Sequence, residues 1–153
     1  MGDFRRLKLH VLAVLKAPDW ENGLDSLLDM PPRKIIAPLF SLLLHPPEIK
    51  WHAVTAFGVV VPRMAEQDIH EALAVMRRFL WHMQRNSSNS GWGISESMGE
   101  VMAQSERLAK RFWWFFGSGQ ANNFISLEEQ RISACLFALN STFWWAKGGF
   151  KKG

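Results

Sequence analysis

The chain predicts an all-α protein, a right-handed α-solenoid of about three stacked helix pairs behind an N-terminal helical segment. Three observations carry that reading. The segment EIKWHAVTAFG ending at Gly58 recurs as NSGWGISESMG ending at Gly99, and more faintly as EQRISACLFALN ending at Asn140, a spacing of 41 residues each time. In that register Trp51 matches Trp92, Phe57 matches Met98 and Leu139, Ala56 matches Ser97 and Ala138, and Val60 matches Val101. Apolar residues recur at helical spacing, and strand signals are scarce. Proline and glycine clusters fall between the periodic segments. A single helix pair cannot bury its own apolar face, so a repeated pair implies stacking of neighbours.

Helix signals follow one another along the chain. Phe4 to Leu15 carries Leu7, Val11, Leu12 and Leu15 on one stripe. Pro18 and Asp19 stop it and cap a short second helix, Trp20 to Asp29, with Leu24, Leu27 and Leu28 on one face. Pro31-Pro32 precedes an apolar helix from Lys34 to His45. Pro46-Pro47-Glu48 opens the next, Glu48 to Val61, with Ile49, Ala53, Phe57 and Val60 aligned, and Pro62 is expected to close it. A long helix over 68–85 presents Ala72, Val75, Met76, Phe79, Leu80 and Met83. The run from Asn86 to Gly91 reads as a turn before a helix over 92–104 that buries Ile94, Met98, Val101 and Met102. A further pair starts near Ser105, breaks at Gly117-Ser118-Gly119 and resumes after the capping-box sequence Ser126-Leu127-Glu128-Glu129.

Length and composition set bounds. At 153 residues the chain fits one domain whose core needs neither disulfide nor metal. Residues 1–143 read as that domain, and 144–153 as an apolar and basic, poorly ordered tail. The single cysteine, Cys135, rules out an internal disulfide and suits a reducing cytoplasm. Arg5, Arg6 and Lys8 before the Leu9 to Leu15 run have the charge order of a secretory signal. The run is short, contains His10 and leads into Pro18-Asp19-Trp20 without a small-residue cleavage pattern, so it reads as the first helix. The longest apolar stretches, Ile35 to Leu44 and Ala53 to Val61, fall short of a membrane span, so the expectation is a soluble protein with no transmembrane segment. The net charge of +4 is too small and too scattered to imply nucleic acid by itself.

Within this pattern, Pro38-Leu39 with Leu42 to Leu44, a short turn and then IKWHAVTAFG resembles the HEAT repeat, whose second helix runs Val-Arg-x-x-Ala-x-x-Ala-Leu-Gly. Ile49-Lys50, Ala53, Ala56, Phe57 and Gly58 occupy those places. The resemblance covers Arg33 to Asn140, with degenerate later copies: Ile94 and Ser97 stand where alanines are usual, and Asn140 replaces glycine. It is closest to the small bacterial HEAT-like proteins grouped with the phycobilisome-lyase type of repeat. The resemblance implies second helices that line a concave surface holding a partner. It implies no reaction.

The candidate site is a ladder of aromatic anchors. Trp51 and Thr55 lie one turn apart, and Trp92 and Glu96 occupy the equivalent places one repeat later. Neither tryptophan is on the stripe of Ile49, Ala53, Phe57 and Val60, so both can face a ligand; packing in the seams between repeats is the ordinary fate of such side chains. A second aromatic concentration lies from Phe112 onward, with 11 of the 19 aromatics, including Trp113, Trp114, Trp144 and Trp145. It reads as buried against the last repeat with some exposed interface, through which a second copy can dock.

Other residues carry less. His10, His45, His52, His70 and His82 lack the spacing of a zinc site, so no metal is expected, and His70 is placed to pair with Glu66. Cys135 falls at a small core position. Glu96 and Glu100 share one helix without a pocket signature. Arg77, Arg78, Arg85, Arg107, Lys110 and Arg111 line one ridge only if the fold brings them to a common face. No catalytic motif and no cofactor signature is present. The expected function is a non-catalytic cytoplasmic scaffold that grips a protein or peptide. Nucleic-acid binding of the alkylation-repeat type and chromophore handling of the lyase type are the alternatives.

Overall fold

The computed structural model describes residues 2–85 and 93–117, with side chains for 2–82 and 93–112. Among the described residues there are seven helices and no strand: α1 (Gly2–Lys16), α2 (Trp20–Leu28), α3 (Pro32–Leu42), α4 (Pro47–Gln67), α5 (Ile69–Arg85), α6 (Ile94–Gln104) and α7 (Glu106–Gly117). The all-α prediction holds. The third copy of the period, the capping-box sequence at Ser126 and the 144–153 tail lie outside the described residues.

Punctuation in the sequence places most helix ends. Prolines at N1 open α3 and α4, where a missing N–H costs nothing. Gly93 opens α6 at φ 92°, a left-handed conformation that favours glycine. The Ser105 hydroxyl accepts the Leu108 N–H at 3.3 Å and starts α7. Asp68 Oδ1 accepts the His70 N–H at 2.9 Å at the head of α5. Asp19, expected to cap α2 through its side chain, makes no such bond; its carbonyl instead accepts the Asn22 and Gly23 N–H groups.

Two boundaries differ from expectation. Helix α3 ends at Leu42, short of His45, and the next three N–H groups bond carbonyls three residues back. A residue ahead of proline disfavours the helical region, and Pro46 follows His45. Helix α4 does not stop at Pro62 but continues to Gln67. Proline removes the N–H that would reach the Gly58 carbonyl, yet Met64 and Ala65 beyond it are buried, and their burial offsets the lost bond.

Helix α4 is the centre of the molecule. It packs on α3, α5 and α2, and most extensively on α6, while α1 packs on α2 and α3 and α6 packs on α5 and α7. Phe40 of α3, Phe57 of α4 and Phe79 of α5 meet with ring centroids 5.0–5.1 Å apart. Small residues admit α6: Gly58 lies under the Glu100 side chain, and Gly93 lies against Lys50. Those contacts advance in the same direction along both chains, so α4 and α6 are parallel. Positions 41 residues apart share burial, since Ala56 and Ser97, Phe57 and Met98, and Val60 and Val101 are all fully buried.

A candidate partner-binding face

Trp51 stands on α4 between Lys50, which meets Gly93 at the head of α6, and His52, which meets Trp20 of α2. Its ring is 45% exposed, on a helix that is otherwise buried along most of its length. Lys50 Nζ lies 5.0 Å from the ring centroid, a cation–π contact that helps hold the indole in place. The Thr55 hydroxyl donates to the Trp51 carbonyl at 3.2 Å, the ordinary way a mid-helix threonine satisfies itself. Thr55 is half-buried and shares the Trp51 side of α4.

A second aromatic unit adjoins it. The Trp20 ring of α2 stacks on His52 of α4 with centroids 3.9 Å apart and planes 17° from parallel. His52 Nδ1 lies 2.8 Å from the Leu15 carbonyl. A carbonyl only accepts, so Nδ1 carries the proton and donates. Three helices thereby converge on one imidazole, and this pair is absent from the sequence-based candidates. Its components are a tryptophan and a histidine 32 positions apart, with no periodic relation to reveal them.

Glu96, the predicted acid, lies at the head of α6. Glu96 is 8% exposed and turned inward; its Oε2 accepts the Gly93 N–H at 2.9 Å and the Ser95 hydroxyl at 3.0 Å. Its carboxylate satisfies the head of α6. Trp92, Trp144 and Trp145 lie outside the described residues, as do the side chains of Trp113 and Trp114 on α7.

The basic residues make separate local contacts. Arg78 stacks over Phe40 at 4.1 Å, Arg107 donates to the Ala65 carbonyl at 3.4 Å, and Lys110 pairs with Glu106 at 2.8 Å. Arg77 and Arg111 are exposed, and the Arg85 side chain lies outside the described residues. Glu66 pairs with Arg63 at 3.3 Å rather than with His70. His82, against Phe40 and Trp81, titrates below the usual imidazole range, first because of burial and then because of the Arg78 charge. His45 is lowered as well, by burial and then by Lys8 and Lys16. Among the described residues no group of three His, Cys, Asp or Glu side chains converges on a metal position, and no helix is long and apolar enough to cross a membrane.

A hollow of about 670 Å³ lies on the side of α1 and α3, lined in part by Phe4 and Leu7 of α1 and Ala37 of α3. Its exposed Phe4 and basic rim were visible in the sequence as residue types, but not as one place. Comparison of the chain with protein-family models, with curated proteins and with solved structures finds no match.

Proposed function

We propose that this chain is a HEAT-like α-solenoid working as a non-catalytic cytoplasmic scaffold, which holds a peptide or helix on the face formed by α2, α4 and α6. Support for the repeat comes from the pairing of α3 with α4 and of α5 with α6, with the two second helices side by side and parallel. Gly58 and Glu100 lie 42 positions apart and Lys50 and Gly93 lie 43 apart, close to the 41-residue period of the sequence. The single observation that carries the function is the exposed Trp51 on the helix that packs against most of its neighbours. A large rigid ring held against Lys50 offers contact area at low entropic cost, as interface anchors do.

The test is selection of peptides from a display library on the full chain, followed by calorimetric titration of the selected peptide. Trp51→Ala is expected to weaken binding at least about tenfold, or roughly 1.4 kcal/mol, with an unchanged helical circular-dichroism spectrum. Selection of no peptide, or equal affinity for the variant, overturns the proposal.

A further inference from the structure

We propose that the hollow between α1 and α3 docks an acidic amphipathic helix from a partner protein. This surface is separate from the Trp51 face and does not depend on it. Its floor is apolar, built from Phe4, Leu7, Met30 and Ala37. Phe4 is 47% exposed, a large side chain left partly in water.

The rim is cationic. Arg6 and His10 stand on the α1 side, and Arg33 and Lys34 on the α3 side. Asp3 is the one acid lining the hollow among the described residues, and Arg6 already holds it at 2.7 Å. Arg33 reaches Glu71 of α5 at 3.7 Å, a long contact between exposed groups that leaves the guanidinium able to take a second carboxylate. Basic walls around an apolar floor complement a helix with an apolar stripe flanked by Glu or Asp.

The dimensions suit that occupant. Asp3, Phe4, Leu7 and His10 follow the i, i+1, i+4, i+7 positions of α1 and span two turns, about 10 Å, which matches two turns of an incoming helix. Duplex nucleic acid would contact the rim and leave the apolar floor unused, because phosphates are met by charge.

The test uses fluorescence anisotropy with the full chain and a fluorescein-labelled synthetic helix of about 16 residues, carrying a leucine stripe flanked by glutamates. Its counterpart carries lysines in place of the glutamates. The acidic helix is expected to bind, more weakly as salt rises, and the lysine counterpart to bind at least about tenfold less tightly. The double variant Arg6→Glu with Lys34→Glu, and separately Ala37→Phe, which fills the floor without touching charge, are each expected to weaken the acidic helix by at least about tenfold. Each variant is checked for unchanged helical circular dichroism and melting temperature, and Trp51→Ala is expected to leave this affinity unchanged. Equal binding of the two helices, no binding of the acidic helix, or retained affinity in both folded groove variants overturns the proposal. So does binding only to phosphatidylglycerol vesicles or only to duplex DNA.

Discussion

Gly58 of α4 lies so close beneath Glu100 of α6 that a Cβ on it would stand 2.5 Å from the Glu100 Cγ. That contact between the two parallel helices opposes two familiar effects. Alanine in a helix interior is favoured over glycine by about 1 kcal/mol, whereas an added methyl in a filled interface costs about 1–3 kcal/mol. Because the obstructing atom is the second carbon of the side chain rather than its free end, the clash is expected to win. Gly58→Ala should lower stability by about 1 kcal/mol, and the same change made in a Glu100→Ala background should raise it. Urea unfolding of the four proteins of the cycle measures both signs.

The position four residues on gives the opposite expectation. Pro62 lies inside α4, where it deprives the Gly58 carbonyl of its helical donor. Proline costs about 3 kcal/mol relative to alanine in a helix interior and returns about 1 kcal/mol by restricting the unfolded chain. Pro62→Ala is therefore expected to stabilise by about 2 kcal/mol, read as a higher urea midpoint at unchanged slope. A lower midpoint would mean that the packing of α4 depends on the proline.

Phe57 and Trp51 separate core from surface on one helix. Phe57 is fully buried between Phe40 and Phe79, so Phe57→Ala should cost about 3–5 kcal/mol, a large part of the stability of a domain this size. Trp51→Ala, at an exposed ring, should cost no more than about 1 kcal/mol. Thermal melts of the two variants decide it, and equal losses would move Trp51 into the core.

Acidification should weaken the fold before the carboxylates titrate. His82 is held below its ordinary pKa by burial and then by Arg78, and His45 by burial and then by Lys8 and Lys16. The unfolded chain then binds more protons than the folded one near pH 6.5, so stability is full above that value and declines as pH falls below it. The melting temperature is expected to drop between about pH 7.5 and about pH 5.5, and His82→Gln should flatten part of that slope. A slope unchanged by His82→Gln would remove His82 as a contributor.

Particular residues show how much was legible beforehand. The prolines at 31, 32, 46 and 47 announced helix starts, and Gly93 lies within one residue of the expected start of α6. Pro62 misled, because its local cost is outweighed by apolar residues further along α4 that find a core only in the folded chain. Trp51 was legible as lying off the apolar stripe. Glu96 was placed one turn from a repeated tryptophan by spacing alone, but the open N–H groups at the head of α6 claim its carboxylate. The Trp20–His52 stack and the hollow between α1 and α3 join residues from different helices, and no periodicity encodes such a meeting.

What the sequence by itself determined is the helical class, most helix starts and the apolar face of α1, α2, α4, α5 and α6. These depend on neighbours within a turn or two, through capping, proline and glycine geometry, and the 3.6-residue spacing. Tertiary structure alone decided that α4 and α6 run parallel at glycine distance, that Glu96 turns inward and that basic residues from α1 and α3 frame one apolar floor. Those outcomes depend on how several helices share one buried volume, where burial and polar satisfaction are settled jointly rather than residue by residue.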